Sequence, residues 1–249
     1  MTHAPAPPRA PRVLALDLAR TAALACMAVF HFTFDLELFG YLPSGTTTSG
    51  GWAVFARLIA GSFLFLVGIS LALAHGRGIH WHSALRRLAM IAGAAAVITV
   101  ATRIAIPDRF IFFGILHSIA FASLAGLAFV RLPPALPLLA AVAVWLAPRW
   151  LFLPAFDAPW LQWVGLGTLI PRSVDFVPVF PWFAPVLLGI AVGNTLAHQG
   201  GWARLAMWPR GRSRALRLLA WPGQHSLAVY LAHQPVLIAL VWAATQILR

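Results

Sequence analysis

Seven stretches of apolar residues, most of them about twenty residues long, dominate this sequence. A helix needs roughly 20 residues to cross about 30 Å of hydrocarbon. Only 10% of the 249 residues are charged and 61% are hydrophobic, so polar groups cannot cover the surface and lipid must surround much of the chain. We predict an all-α, polytopic transmembrane bundle of about seven helices, over residues 14–38, 52–74, 86–106, 111–130, 133–147, 176–197 and 225–247.

The segments outside these spans are few. Residues 1–12 are rich in Pro and Ala and are predicted to form a disordered tail, and residues 13–249 are predicted to form a single transmembrane domain. The segment 149–175 is rich in Trp, Pro and Gly, which is typical of an interfacial loop with a short re-entrant or surface helix. No internal repeat is visible, which argues against the inverted-repeat design of many transporters.

The basic residues predict the orientation of the chain. All 18 are arginines, against 6 acidic residues, and they lie mostly in the short connections between spans. With the N-terminus in the cytoplasm, about 12 arginines lie on the inner side and about 5 on the outer side, as the positive-inside rule requires. The sequence therefore predicts a cytoplasmic N-terminus, an external C-terminus and a bacterial-type inner membrane, and the basic surplus does not indicate nucleic-acid binding.

The first span carries ionisable residues at helical spacing. Asp17 and Arg20 are three residues apart, and His31 and Asp35 are four apart, so each pair shares a face. Arg20 and His31 are eleven apart, which is about three turns and about 16 Å along the helix. A carboxylate that orients a histidine is typical of a general base. Asp17 and Arg20 also fit a simple interfacial anchor, and His31 also fits a satisfied buried histidine.

Further polar residues are predicted to converge in the outer half of the bundle. His117 lies two turns into the fourth span, Arg57 lies near the start of the second, and Asp175 and Trp182 flank the proline-rich start of the sixth. These four residues are candidates for binding an acceptor substrate. An ion pair between Arg57 and a carboxylate, formed for structure alone, explains the pattern equally well.

The last span carries a third group of polar residues at spacings of three, four and eight, which places several on one face. The arginine-rich segment 204–217 precedes it, and that segment together with the helix N-terminus is predicted to hold a phosphorylated cofactor or to act only as a topology signal. The candidate cofactor-binding residues are Arg20, His225, Ser226, Tyr230, His233 and Gln234.

Metal and haem chemistry find little support. Cys26 is the single cysteine and is interpreted as a small packing residue, and no zinc-ligand spacing occurs, so no metal is predicted. A membrane b-type cytochrome remains a minor alternative, with His31, His117 and His233 as candidate haem ligands.

Five segments together resemble the catalytic membrane domain of heparan-α-glucosaminide N-acetyltransferase and its bacterial relatives. They are LDLAR at 16–20, GSFLFLVG at 61–68, FGILH at 113–117, DFVPVFPW at 175–182 and HSLAVYLAHQP at 225–235. The wider superfamily of transmembrane acyltransferases has a basic residue, ten intervening residues and a histidine on its first helix. Arg20 and His31 match that spacing.

The resemblance implies transfer of an acyl group, most simply acetyl, from cytoplasmic acetyl-CoA to an acceptor on the outer side. His31 is then the catalytic base or acyl relay with Asp35 beside it, and Arg20 braces the donor or the helix. Two departures stand out. Thr21 occupies a position where the family usually has Gly, and no histidine lies between Phe39 and Trp52, where the heparan-acting enzyme has its proposed catalytic histidine.

The expected partners are the lipid bilayer, acyl-CoA and a glycan or small-molecule acceptor with an amine or hydroxyl. Direct transfer and an acyl-histidine relay both fit the sequence, and the oligomeric state is left open. The alternative function is a proton-coupled membrane transporter, because intramembrane His, Asp and Arg residues also build proton relays.

Overall fold

The computed structural model of the chain describes residues 13–207 and 213–248. Within these ranges the chain is built from α-helices joined by loops and short 3-10 turns, which confirms the predicted all-α class. The helices are α1 (Leu14–Leu38), α2 (Gly50–His75), α3 (Trp81–Ala105), α4 (Ile115–Ala125), α5 (Ala135–Trp150), α6 (Val179–His198), α7 (Gly201–Met207), α8 (Arg214–Gln224) and α9 (Ser226–Leu248).

Five of these helices, α1, α2, α3, α6 and α9, are long and apolar enough to cross a membrane. The fourth and fifth predicted spans are shorter apolar helices, Ile115–Ala128 and Ala135–Trp150. Each predicted span therefore matches a helix, and the ends differ most at α4, which covers Ile115–Ala125 instead of 111–130, and at α3, which begins at Trp81 instead of residue 86. The first turn of α3 contains polar residues, so hydropathy alone does not predict that the helix begins there.

Three sequence expectations need correction or fall outside the described residues. Segment 149–175 contains the 3-10 turns Pro154–Asp157 and Gln162–Val164 instead of a short surface α-helix. Of the arginine-rich segment 204–217 the structure describes residues 204–207, which end α7, and residues 213–217, where Ser213 caps the start of α8. The predicted disordered tail 1–12 lies outside the described residues, as do Arg210, Arg212 and Arg249.

The packing of α2 against α6 forms the centre of the bundle. The two helices run parallel and meet at Gly68 and Gly189, where the backbones come into contact. A Cβ atom on Gly68 would collide with the carbonyl of Val186, and one on Gly189 would collide with the carbonyl of Phe65. Small residues allow this approach in membrane bundles, where close van der Waals packing drives helix association. Helix α5 packs along the other side of α6, and α4 packs on both α2 and α6.

Helix α9 lies beside α1 and runs in the same direction. Near the start of α1, the amide of Gly223 in α8 donates to the Thr21 hydroxyl, and near its end, Gln234 of α9 donates to Asp35. We call the end of the bundle where α1 begins the inner end and the opposite end the outer end, following the predicted orientation. Because α1 and α9 are parallel, the start of α1 and the end of α9 lie at opposite ends.

Helix α3 completes the bundle at its periphery. It packs mainly on α4, and its buried residues Ile91, Ala94 and Ala95 form a small cluster with Leu116 of α4. Tyr230 of α9 packs against this cluster and against the two other apolar clusters of the protein. Tyr230 therefore lies where α1, α3, α4 and α9 come together.

Carboxylates fasten two outer loops. Glu37, at the end of α1, accepts hydrogen bonds from the amides of Gly45 and Thr47 and from the Thr47 hydroxyl, at 2.6 to 2.8 Å. Asp157 accepts from the amides of Thr168 and Leu169 and from the Thr168 hydroxyl. Each carboxylate satisfies backbone donors that a loop leaves without a partner.

We expect Gly68→Ala to destabilise the bundle by about 1 to 3 kcal/mol, because the added methyl group meets a backbone carbonyl that cannot move without separating α2 from α6. Gly61→Ala on the same helix is the matched control, since its Cβ would have no atom within 4 Å. That change should be neutral or stabilise by up to about 1 kcal/mol through helix propensity. Tryptophan fluorescence of both variants during thermal unfolding in detergent checks this, and equal midpoints would contradict it.

Candidate active site

Two polar residues of α1 and two of α9 meet in the outer half of the bundle. Asp35 is fully buried, and its Oδ1 accepts a hydrogen bond of 2.7 Å from Nε2 of Gln234. One turn nearer the inner end, the imidazole rings of His31 and His233 lie edge to face with centroids 4.9 Å apart. The four side chains form a single cluster between two parallel helices.

The expected hydrogen bond between His31 and Asp35 is not present in the structure. Gln234 occupies the partner position on the carboxylate, and its side chain also lies against His31. Because a carboxylate only accepts, the Gln234 amide must turn its NH₂ group to Asp35 and its oxygen away from it. Asp35 therefore acts on His31 through the orientation of Gln234 instead of by direct contact.

The tautomer of His233 follows from its contact with the backbone. Its Nδ1 lies 2.5 Å from the carbonyl oxygen of Tyr230. A carbonyl oxygen only accepts, so Nδ1 carries the proton and Nε2 of the neutral ring keeps its lone pair. This Nε2 atom is buried without a hydrogen-bond partner among the described residues. His233 thus presents a free basic nitrogen inside the bundle.

The same cluster holds most of the buried polar side-chain atoms that have no hydrogen-bond partner in the described part of the chain. They are His31 Nδ1, Asp35 Oδ2, His233 Nε2 and Gln234 Oε1, and the fifth is the hydroxyl of Ser123 on α4. A buried polar group without a partner costs about 1 to 3 kcal/mol. Their concentration at one place is typical of a functional site, where a polar substrate supplies the missing partners.

His117 is held in a different way. The amide of Gly114 donates to its Nδ1 at 3.2 Å, so the ring proton is on Nε2, which donates to the Thr99 hydroxyl at 3.1 Å. Thr99 in turn donates to the carbonyl of Ile111 at 2.8 Å. Both ring nitrogens are engaged, so His117 joins α3 to the start of α4 and offers no free nitrogen to a substrate.

Asp175 fastens the loop before α6 to the start of α4. Its Oδ2 accepts from the amide of Ile115 at 2.9 Å, and the carboxyl group fills the space that a side chain at position 114 would need, so Gly114 is required there. Burial raises the pKa of Asp175 to about 6, although the hydrogen bond from Ile115 acts in the opposite direction. On α9, the ring of Tyr230 lies tilted beside that of His233, with centroids 5.6 Å apart.

Arg20 links α1 to α2 at the inner end, and its neighbour Thr21 links α1 to α8. Its Nη1 donates to Asp17 at 2.8 Å and its Nη2 donates to the hydroxyl of Ser70 on α2 at 2.7 Å. The neighbouring Thr21 donates to the carbonyl of Asp17 and accepts from the amide of Gly223. A glycine at position 21 would lack this hydroxyl, so the departure from the family pattern adds a link between α1 and α8.

The remaining candidate residues do not join the cluster. Arg57 is exposed and forms no ion pair within the described ranges, where Arg20–Asp17 is the one ion pair. The alternative in which Arg57 pairs with Asp35 or Asp175 for structure alone is therefore wrong. Trp182 packs against the central apolar cluster. His225 is exposed between α8 and α9 and bonds the carbonyl of Trp221, and Ser226 begins α9.

Sequence reasoning missed several residues that the packing brings to the site. Thr99 and Ser70 are hydroxyl residues in apolar helices, and their partners lie 18 and 50 residues away. The hydrogen bond from Gln234, a candidate cofactor-binding residue, to Asp35 was likewise not predicted, since the two lie 199 residues apart. No group of three or more His, Cys, Asp or Glu residues in the described ranges is arranged to hold a metal ion.

The family model for the catalytic domain of heparan-alpha-glucosaminide N-acetyltransferase matches residues 12–235. This range contains the Asp17–Arg20 pair, the His31–Asp35–His233–Gln234 cluster and the hydrogen bond between Asp175 and the Ile115 amide. The chain belongs to this family. As a member of the heparan-alpha-glucosaminide N-acetyltransferase catalytic-domain family with membrane-spanning helices, it is an integral membrane protein of the acetyltransferase type. Comparison with the curated proteins and with the solved structures gave no match.

We expect the stability of the protein to fall as the pH rises between the ordinary Asp175 pKa of 3.8 and about 6. The folded state binds a proton at Asp175 in this window and the unfolded state does not, so the free energy of unfolding decreases there and levels off above it. Asp175→Asn keeps an acceptor for Ile115 and removes the titration. Its thermal midpoint in detergent should therefore rise relative to wild type between pH 4 and 6.

The exposed Asp108→Asn in the loop after α3 is the control for this measurement. A constant difference between the midpoints of Asp175→Asn and wild type across the window would contradict the assigned burial of the Asp175 carboxyl group.

Proposed function

We propose that the protein is a transmembrane acetyltransferase that moves an acetyl group from acetyl-CoA to an amine or hydroxyl of an acceptor on the opposite side of a bacterial-type cytoplasmic membrane. The observation that carries the proposal is the pair of facing imidazoles, His31 and His233, each with a buried ring nitrogen that has no partner within the described residues. Membership of an acetyltransferase family supports the reaction type.

In direct transfer, the free imidazole nitrogen acts as a general base. It removes a proton from the acceptor as the acceptor nitrogen or oxygen attacks the thioester carbonyl carbon. The carbon–sulfur bond then breaks, the acetyl group stays on the acceptor, and the imidazolium returns the proton to the thiolate to give free coenzyme A. His233 Nε2 is suited to this role because the Tyr230 carbonyl fixes its lone pair on that nitrogen.

In a relay, an imidazole nitrogen attacks the thioester carbon first. The thiolate leaves with the proton from the other ring nitrogen, and the acetyl-imidazole then passes the acetyl group to the acceptor, whose proton restores the neutral ring. Two facing rings suit this route as well, since one can carry the acetyl group while the other takes the proton of the acceptor. Both routes end with the same products.

Asp35 and Gln234 position His31 in either route. The buried carboxylate holds the Gln234 amide through its NH₂ group, which turns the amide oxygen toward the histidine. That oxygen is free to accept a hydrogen bond from a ring N–H of His31, so a protonated imidazole would gain a partner when it forms. Asp35 and Gln234 are therefore positioning residues, and the histidines contact the reacting atoms.

The donor is proposed to enter from the inner end, and the acceptor from the outer end. Arg20 lies about 16 Å from His31 along α1, and the residues between them on the same face, Leu24 and Met27, are buried and apolar. This spacing suits a donor that carries phosphates at one end and a thioester at the other. On the outer side, Asp175 and Tyr230 supply the polar groups that an amine or hydroxyl acceptor would meet.

Replacement of either histidine by alanine should lower kcat about 10²- to 10⁴-fold, the usual contribution of a general base. The measurement follows radiolabelled acetyl transfer from acetyl-CoA to a panel of amines headed by a terminal glucosaminide, because the family description names that group. His198→Ala, at the exposed end of α6, is the matched control and should retain activity. Unchanged turnover in both His31→Ala and His233→Ala would remove the pair from the mechanism.

Binding of the donor is expected to raise the thermal midpoint of the purified protein in a saturable way. At a donor concentration of about a hundred times Kd, the free energy of unfolding should increase by about 2.7 kcal/mol. The shift should be lost in Arg20→Ala, whose own midpoint without ligand serves as its reference because Arg20 also braces α1 against α2. If no acyl-CoA stabilises the wild type while proteoliposomes take up a substrate without a donor, the protein is a transporter instead.

A further inference from the structure

Helix α8 is too short to cross a membrane, yet it carries large apolar side chains that no other part of the protein covers. It has 11 residues, Arg214–Gln224, which extend over about 16 Å, whereas the hydrocarbon of a bilayer is about 30 Å thick. Leu218, Leu219 and Trp221 are each more than half exposed. Exposed apolar residues on a short helix are typical of a segment that lies at the surface of a membrane.

The opposite face of α8 is packed against the start of α1. Ala220 and Gly223 are buried on this face, and Leu216 is half-buried. The amide of Gly223 donates to the Thr21 hydroxyl at 2.9 Å, and a Cβ atom on Gly223 would collide with the carbonyl of Asp17. The two backbones therefore touch, and this contact fixes which face of α8 turns outward.

The arginines of α8 lie on one edge, between the packed face and the outward face. At 3.6 residues per turn, Arg217 and Arg214 lie about 60° and 120° around the helix from the buried Ala220. Leu218 lies about 160° from Ala220, on the side opposite α1. Both arginines are exposed, and because they are three residues apart their side chains are neighbours. The helix thus has an apolar outward face with a basic edge beside it.

The connections of α8 place it at the inner end of the bundle. The chain reaches α8 from α7, which follows the end of α6 at His198, and leaves it into α9 at Ser226. Gly223 lies level with Asp17 and Thr21, in the first two turns of α1. These turns are where α1 enters the hydrocarbon, so α8 lies at the depth of the inner lipid headgroups.

The protein has no carboxylate to neutralise this basic edge. Of the 6 acidic residues in the sequence, Asp17 is the one at the inner end, and it accepts a hydrogen bond from Arg20. The others lie in the outer half of α1 or in the outer loops, and they are Asp35, Glu37, Asp108, Asp157 and Asp175. Neither Arg214 nor Arg217 forms an ion pair within residues 13–207 and 213–248. Their counter-charge must come from outside the chain.

We propose that α8 is an interfacial helix that binds anionic phospholipids of the inner leaflet. Arg214 and Arg217 contact the headgroup phosphates, while Leu218 and Leu219 lie among the acyl chains. Guanidinium groups suit phosphate because they donate two parallel hydrogen bonds, and basic residues beside a membrane attract its anionic lipids. Because α8 touches α1 through Gly223, bound lipid also holds the start of α1 in place.

The first experiment titrates the purified protein in detergent with dioleoyl phosphatidylglycerol and with dioleoyl phosphatidylcholine. The anionic lipid should raise the thermal midpoint of wild type more than the zwitterionic lipid does. In the double variant Arg214→Gln and Arg217→Gln, the concentration that gives half of this shift should rise about tenfold or more, since each arginine is worth about 1 kcal/mol. The double variant Arg214→Lys and Arg217→Lys keeps the charge and should retain most of the response.

Arg77 and Arg86 supply the matched control, because both are exposed at the same end of the bundle. Arg77→Gln with Arg86→Gln removes the same two charges and should respond to the lipid like wild type. Midpoints without lipid show that each variant is folded. Equal losses in the two glutamine pairs, or equal shifts from both lipids, would overturn the proposal. A shift of the same size from glycerol 3-phosphate would also overturn it, because the site would then bind free phosphate instead of a lipid.

The second experiment tests the apolar face. Cys26 is the single cysteine, so Leu219→Cys in a Cys26→Ser background gives one site for a bimane label. In vesicles of the two lipids, the label should be quenched by doxyl groups on the acyl chains and protected from iodide. The same label at Arg77→Cys should show the reverse. Iodide quenching at position 219 as strong as at position 77 would show that α8 does not enter the lipid, and would refute the proposal.

Discussion

Helices α2 and α6 touch through their backbones at Gly68 and Gly189, and the other helices take their places around this contact. Because neither glycine has a side chain, the backbones of α2 and α6 touch at their crossing, and the pair forms the centre against which the other helices pack. Helix α5 packs on α6, α4 packs on both α2 and α6, and α1 packs on α2. This leaves α3 and α9 at the periphery, so the space between α1, α3, α4 and α9 becomes the region where polar side chains can meet.

That region is layered along the direction of the helices. Arg20 lies near the inner end, the buried apolar residues Leu24 and Met27 follow on α1, and His31, His233 and Asp35 lie in the outer half. In a bundle surrounded by lipid, each polar layer must satisfy its own hydrogen bonds, since no bulk water compensates them. At the inner end, Arg20 donates its hydrogen bonds to Asp17 and Ser70, and His117 and Asp175 also have hydrogen-bond partners. The His31–His233 cluster instead retains buried polar atoms without a partner in the described part of the chain, and these are free for a substrate.

The chain departs from the heparan-acting member of its family in the loop after α1, which contains no histidine. Glu37 fastens that loop to the end of α1 through Gly45 and Thr47, so the loop is held beside the helix instead of contributing an imidazole. The imidazoles of the proposed site come from within the helices. His31 and His233 face each other across the α1–α9 contact, which places the chemistry inside the bundle.

The sequence alone determined the all-α class, the positions of the spans and the shared face of Arg20 and His31. Hydropathy and the helical repeat are local properties, so they can be read from neighbouring residues. The sequence did not predict that Gln234 would replace His31 as the partner of Asp35, or that both nitrogens of His117 would be engaged. These contacts depend on which faces of helices far apart in the chain pack against each other. Only the tertiary structure decides them, because close packing at Gly68 and Gly189, and not any local pattern, fixes which faces meet.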